Sequence, residues 1–289
     1  MFGIMNGIAA YQGLIPYGGT FLNFLTYGWG AARLAALSRL RIIYVMTHDS
    51  IGLGEDGPTH QPIETLALTR ATPNMLTFRP ADGNETTGTY IVVIEKSDHP
   101  SVIALSRQNL PQLEGSSVEK VRKGGYVLQC PGKPDVIIAS TGSEVCIAVD
   151  AAKKLESQGL KARIVSMPCT ELFDEQPLSY KTEVFPTGIP IVSLEALSTF
   201  GWQRYSHAQV GMTTFGASAV SSRIHAIYVV CDYNSDMTWF SFSNTLMPMN
   251  ISTLLLSIPP RSPKQLSKST RRLVTFPSSH SARSKKLLS

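Results

Sequence analysis

Thr47–Ile63 reads THDSIGLGEDGPTHQPI, and it decides how the rest of the chain is read. Two histidines, two aspartates, a glutamate and three glycines fall in a span with little helical or strand periodicity. The apolar run Ile42–Met46 before it has the length and β-branching of a buried strand, and Pro62–Thr69 after it reads as a helix. Polar groups on a glycine-rich loop after a strand are what a ligand site in an open α/β sheet looks like, because ligands bind outside the carboxyl ends of the strands. A plain solvated connection is the alternative.

The 289 residues suffice for roughly two domains. A hydrophobic content of 43% supplies their cores, and the charged fraction, 16%, is low but globular. The formal net charge of +5 is unevenly placed: from Val220 onward nine Lys and Arg face only Asp232 and Asp236, so the body is mildly acidic. Nucleic acid is therefore not the expected partner. Cys130, Cys146, Cys169 and Cys231 form no Cys-x-x-Cys pair, which indicates neither a zinc site nor a disulfide framework and fits a cytoplasmic setting. The N-terminus lacks the basic region of a signal peptide. Thr245–Ile258 is apolar but short and interrupted by Pro248, so no membrane span is expected.

Outward from the loop, the pattern is strand and helix in alternation. Phe2–Ala10 resembles the middle of a buried helix with no capping residue ahead of it, as if an element were cut. Pro16–Thr20 reads as a turn and Phe21–Leu40 as a helix. Asn74–Phe78 and Ser101–Leu105 read as strands flanking a helix at Glu85–Glu95, which Gly88 weakens. Leu110–Lys133 is low in periodicity, and residues 117–134 are taken as a linker between a domain at 1–116 and a second at 135–219. In the second, strand Asp135–Ser140, helix Ala148–Ser157 and strand Lys161–Met167 make a βαβ unit within about thirty residues. Thr141-Gly142-Ser143-Glu144 reads as a capping box before that helix, and Ile189–Leu194 as a further strand. The fold class expected is α/β, with two doubly wound, mainly parallel sheets. Fifteen of the last seventy residues are serine and no acid follows Asp236, so 220–289 is expected to be a low-order tail.

The chemistry centres on His48, Asp49, Asp56 and His60. Imidazole and carboxylate suit several metals, but the spacing matches no zinc pattern. General acid–base work, or a grip on a polyhydroxylated substrate, fits better.

Seven segments, in order, resemble the transketolase family: PYGGTFLN (16–23), THDSIGLGEDGPTHQPIE (47–64), RPADGNE (79–85), ALSRQNLPQLEG (104–115), GGYVLQ (124–129), ASTGSE (139–144) and FGAS (215–218). The resemblance covers about Met1 to Ala219, the pyrimidine-binding and C-terminal domains. It implies a two-carbon ketol transfer from a ketose phosphate to an aldose phosphate in the pentose phosphate pathway, with thiamine diphosphate as cofactor. It also implies roles. Phe21, Phe24 and Tyr27 would receive the aminopyrimidine ring, His48 and Arg107 would hold the sugar phosphate, and Asp56 would bond a substrate hydroxyl. His60 would stand beside the cofactor's reactive carbon, contacting cofactor and substrate. Without the resemblance, the three aromatics read as core residues of an amphipathic helix.

The resemblance has gaps. The family's activating glutamate lies just upstream of the segment matching Met1–Gly7. The domain that binds the diphosphate and its Mg2+ or Ca2+ has no counterpart in the chain, so no metal ligand is assigned here. After Ala219 the family's closing helices do not appear, as a frameshift or misread splice junction would leave it. The isolated chain is expected to be inactive. Alternatives are a β-type subunit of a split thiamine-diphosphate enzyme and a non-catalytic fragment that dimerises with full-length transketolase. The family's homodimeric habit makes a second copy, or a chain carrying the diphosphate domain, the expected partner. Dihydroxyacetone synthase shares much of the Thr47–Ile63 loop, so acceptor preference is open.

Overall fold

A computed structural model describes residues 1–219; the tail at 220–289, with its apolar runs at 224–230, 237–242 and 245–258, lies outside the described residues. The first sheet takes β1 (Tyr17–Phe21), β2 (Ile43–Thr47), β3 (Leu76–Phe78) and β4 (Ser101–Leu105), in the order β1-β2-β4-β3 and parallel throughout. Successive residues of a strand face opposite sides. Tyr44 and Met46 pack under helices α1 (Phe2–Tyr11) and α2 (Trp29–Leu37), whereas Ile43 packs with Val92 and Val93 of α4 (Gly83–Glu95). Both faces are covered, which is why the strands read as apolar runs rather than alternating ones.

The second sheet has the order β5-β7-β6-β8-β9, from β5 (Tyr126–Gln129), β6 (Val136–Ser140), β7 (Ala162–Ser166), β8 (Ile191–Ser198) and β9 (Ala208–Met212). Only β5 runs antiparallel. Val136 and Ile138 meet Val145, Ala148 and Leu155 of α5 (Glu144–Glu156). Ile137 and Ala139 face the other way, toward Phe173 of α6 (Thr170–Asp174) and Val184 of α7 (Leu178–Val184). Two doubly wound α/β sheets are thus present. α3 (Thr65–Arg70) follows the Thr47–Ile63 loop. No helix among the described residues is long and apolar enough to cross a membrane.

Four local expectations are corrected. Pro16–Thr20 is not a turn: Tyr17–Phe21 pairs with β2 from Tyr17↔Ile43 to Phe21↔Thr47, and sheet pairing overrides the low strand propensity of two glycines. The single helix expected over Phe21–Leu40 begins as the end of β1, continues as a 3-10 helix at Leu22–Gly28, and becomes α-helical at Trp29. The stretch read as a linker contains β5, the antiparallel edge of the second sheet. The capping box at Thr141–Glu144 does not form, since Ser143 is the N-cap and makes no side-chain cap bond. The capping arrangement sits instead on α4, where Asp82 Oδ1 accepts from the Glu85 amide (2.9 Å) and Glu85 Oε2 accepts from the Ala81 amide (2.7 Å).

Thr141 and Glu144 are engaged by a buried ion network. Arg79, fully buried at the end of β3, donates to Asp49 Oδ2 (2.8 Å), to the Thr141 carbonyl and hydroxyl (3.1 and 3.0 Å), to Ser143 Oγ (3.2 Å) and to Glu144. Glu195, inside β8, accepts a two-pronged pair of bonds from Arg70 (2.8 Å each) and single bonds from Thr141 (2.5 Å) and Trp202 (2.8 Å). Burial raises the Glu195 carboxyl pKa, but the charge and bonds of Arg70, with help from Arg79 and Thr141, outweigh it and hold the carboxyl at about 2.

Two outcomes follow from this packing. Gly88 faces the Val118 carbonyl, and a Cβ there would lie 2.5 Å from that oxygen. Gly88→Ala gains about 1 kcal/mol of helix propensity but overpacks a backbone contact at a cost of about 1–3 kcal/mol. A lower urea midpoint is expected; a higher one would show the contact relaxes freely. The depressed Glu195 pKa contributes stability that is present above the ordinary value of 4.5 and is lost as pH falls through about 2. That contribution is about 3 kcal/mol. Urea melts between pH 5 and 2 should show Glu195→Gln to be less stable than the native chain at pH 5 and to lose less on acidification.

Candidate functional site

β2 delivers the Thr47–Ile63 loop at its carboxyl end, and the first residues split by direction. His48 adopts a left-handed backbone (φ 59), uncommon for a residue with a Cβ. Its ring stacks on Phe21, with centroids 3.6 Å apart and planes 19° apart. Its Nδ1 lies 3.0 Å from Thr47 Oγ1. Asp49 turns inward to Arg79. Ser50 then caps a 3-10 turn, Ile51–Leu53, by accepting from the Gly52 amide (3.2 Å). Gly54 and Gly57, at φ 89 and 76, bring the chain round so that Asp56 is exposed between them. His60 is half-buried, with Nδ1 2.8 Å from Thr59 Oγ1.

The aromatic residues line up because of the 3-10 helix. At three residues per turn, side chains three apart eclipse one another. Phe21 and Phe24 stack at 5.8 Å with planes 7° apart, and Phe24 and Tyr27 follow at 5.8 Å. Phe24 and Phe21 present edges to His60 at 5.1 and 6.1 Å. Asn23 ties the row to the loop by donating to the Thr59 carbonyl (2.5 Å). The row is thus no buried core stripe: Phe24 is half-buried and Tyr27 is 86% exposed.

Arg107 follows β4, whose Leu105 is in register with Thr47 of β2, so both strand ends open on the same side. Burial lowers the His48 pKa, the Arg107 charge lowers it further, Asp56 and Asp49 pull the other way, and His60 adds a small lowering effect. Two histidines, an arginine, an aspartate and three aromatic rings therefore share one open wall. Its chemistry suits an anionic, hydroxylated ligand beside a flat ring. Among the described residues no group of three His, Cys, Asp or Glu is placed to hold a metal.

Sequence reasoning missed the residues that fix this wall. Arg79 lies in a motif that assigns it no partner, and the capping-box reading pairs Glu144 with Thr141 rather than with Arg79. Glu195 stands alone among the apolar residues of Ile191–Ser198, and a single carboxylate in such a run was the available signal. Gln61, fully enclosed, donates through Nε2 to the carbonyls of Gly54 (3.2 Å) and Ala217 (3.1 Å).

Comparison with known proteins gives two domain matches: "Transketolase, pyrimidine binding domain" over residues 1–112 and "Transketolase-like TK C-terminal domain" over residues 124–229. The second match extends ten residues beyond the Ala219 limit of the sequence resemblance. Transketolase from Scheffersomyces stipitis is 58% identical over 229 residues, covering 79% of this chain and 34% of the relative. Chloroplastic transketolase from Solanum tuberosum is 54% identical, covering 78% of this chain and 31% of the relative. The chain spans about a third of the length of these relatives. A crystal structure of Pichia stipitis transketolase in complex with sedoheptulose 7-phosphate superposes with a TM-score of 0.77 at 59% identity, covering 78% of this chain and 34% of that one. A protein described as a split gene transketolase, an inactive beta4 tetramer, is 26% identical with a TM-score of 0.63, and the match covers 78% of this chain and 75% of that one. The chain belongs to the transketolase family through a pyrimidine-binding domain followed by a transketolase-like C-terminal domain.

Proposed function

We propose that the chain supplies one wall of a thiamine-diphosphate site that moves a two-carbon ketol unit from a ketose phosphate to an aldose phosphate. The observation that carries this reading is the convergence of His48, Asp56, His60 and Arg107 beside the uncovered row of Phe21, Phe24 and Tyr27. An exposed aromatic row fits the aminopyrimidine ring of the cofactor, which binds well against ring faces and edges. When bound, the cofactor supplies the carbon–carbon bond chemistry, and the protein supplies orientation and electrostatics.

The chain's own residues divide the rest. Arg107 offers a guanidinium fork to the sugar phosphate, and His48 adds a second cationic contact when protonated. Asp56 accepts a hydrogen bond from a substrate hydroxyl. His60, held by Thr59 and the Phe24 edge, donates to oxygen charge that develops near the reacting carbons or moves a proton there.

Magnesium or calcium, and the diphosphate it carries, belong in this reading to a domain present in the longer relatives. The pairing surface has a candidate in α1. Phe2, Met5 and Ala9 are buried, while Ile4 (70%) and Tyr11 (83%) stay exposed. A helix apolar on both faces is suited to burial on both. A second copy of the chain, or a chain carrying the diphosphate domain, fits that face. The split-gene relative favours a second form of the same reading, in which this chain is a β-type half.

The deciding experiment mixes the purified chain with the N-terminal diphosphate-binding half of a transketolase, thiamine diphosphate, Mg2+, fructose 6-phosphate and an aldose phosphate acceptor. Ketol transfer is expected from the mixture and none from either half alone. A silent mixture would overturn the reading, and turnover by the chain alone would overturn the one-wall assignment. In the active mixture, Arg107→Ala should raise the KM for fructose 6-phosphate by about 10- to 100-fold, the worth of one charged hydrogen-bond pair, with a much smaller change in kcat. His48 contributes charge only below its pKa, which burial and the Arg107 charge hold below the ordinary imidazole value, so substrate affinity should fall as pH rises through that lowered pKa.

A further inference from the structure

The segment Phe215–Ser218 leaves the second sheet after β9 and lies across the loop that carries Asp56 and His60. Its contacts land on the neighbours of those two residues. Ser218 Oγ donates to the carbonyl of Glu55 (2.5 Å), immediately before Asp56. The Ala217 carbonyl accepts from Gln61 Nε2 (3.1 Å), immediately after His60. The same amide nitrogen reaches the Gly54 carbonyl (3.2 Å), so Gln61 closes the loop on itself as well as on the strap. Gly57, at φ 76, lies directly under Ser218, where a Cβ would come within 3.2 Å of the serine Cβ. Ala219 packs against the small core of Ile51, Ile63, Ala196 and Met212, which gives the strap an apolar anchor at its end.

We propose that Phe215–Ser218 is a positioning strap: it sets where Asp56 and His60 stand without touching the substrate itself. This rests on the roles proposed above for those two residues. A loop with two left-handed glycines has many backbone states to lose. From Gly54 to Gln61 its own backbone bonds are three short turns, from the amides of Gly57, His60 and Gln61 to the carbonyls of Gly54 and Gly57, and Asn23 ties it at the Thr59 carbonyl. The strap supplies two further ties, one on each side of the Asp56–His60 span. Holding reacting groups in place before substrate arrives removes an entropic cost from the reaction step. His48 is held by stacking on Phe21 and the Arg107 backbone follows paired strand β4, neither through the strap, so the strap governs the reacting end of the substrate and not its phosphate end.

The test uses the full chain carrying Ser218→Ala, Ser218→Thr or Gln61→Met. Amide hydrogen exchange is read at Gly57, His60 and Gln61, with β2 and β4 amides as internal controls. Ser218 is exposed, so its substitution spares the core. Ser218→Ala should speed exchange at the three loop amides about fivefold, the factor that one ordinary net hydrogen bond commands. The β2 and β4 amides should not change. Ser218→Thr, which keeps the hydroxyl, should restore the native rates, and Gln61→Met should speed the same amides. Unchanged loop exchange in both Ser218→Ala and Gln61→Met, or equal acceleration in β2 and β4, would overturn the strap. In the mixture with the diphosphate-binding half, Ser218→Ala should lower kcat about fivefold and leave the KM for fructose 6-phosphate within about twofold. A raised KM at unchanged kcat would also overturn it. If the native mixture is inactive, the functional reading falls, while the exchange experiment still decides whether the strap holds the loop.

Discussion

The junction beneath the candidate site depends on one fully buried guanidinium. Arg79 sits where β3 ends, and its donors go to the loop through Asp49 and to the start of α5 through Thr141, Ser143 and Glu144. Taking such ions out of water costs several kcal/mol each, and only dense pairing repays it. The pairing is dense here because Arg70 and Glu195 extend the network into β8 and onto Trp202. Burial raises the Asp49 carboxyl pKa and Arg79 opposes that rise, so the first turn of the loop is bound to the second sheet by charge as well as by packing. The two sheets meet through polar groups whose geometry is specific. A slip of either sheet would strand a carboxylate.

The aromatic row depends on a different constraint, the pitch of a helix. Had Leu22–Gly28 been α-helical, residues 21, 24 and 27 would have drifted around the axis, because 3.6 does not divide by three. The 3-10 pitch stacks them and leaves Tyr27 facing outward. The same short helix places Asn23 against the Thr59 carbonyl. Ring row and loop are therefore one assembly, built from two segments that leave neighbouring strands at the same edge.

Much of this was legible in the sequence. Buried parallel strands such as Ile43–Thr47 and Val136–Ser140 declare themselves as β-branched runs, and α5 by its length. The loop declared itself by composition. What stayed hidden was nonlocal. Tyr17–Phe21 is a strand only because β2 lies beside it, and no propensity of Tyr-Gly-Gly-Thr-Phe reports that. Tyr126–Gln129 sits in a glycine-flanked stretch, and its pairing with β7 alone makes it part of a sheet. Thr141–Glu144 has the letters of a capping box, yet a buried arginine 65 residues earlier claims its carboxylate. Gly88 looked like a weakness in a helix and is a point of close approach. In each case a partner distant in sequence outbid the local preference.

The strap carries a consequence for the order of events during synthesis. Its ties to the loop span 156 and 163 residues, among the longest-range hydrogen bonds in the described chain. A chain emerging from the ribosome completes the first sheet, with β2 and β4 paired, well before residues 215–218 are available. Contacts of such high sequence separation are also the slowest to close once all residues are present. The loop that bears Asp56 and His60 is thus the last part of the wall to acquire its shape, and a nascent chain is spared a finished site until the second sheet has formed.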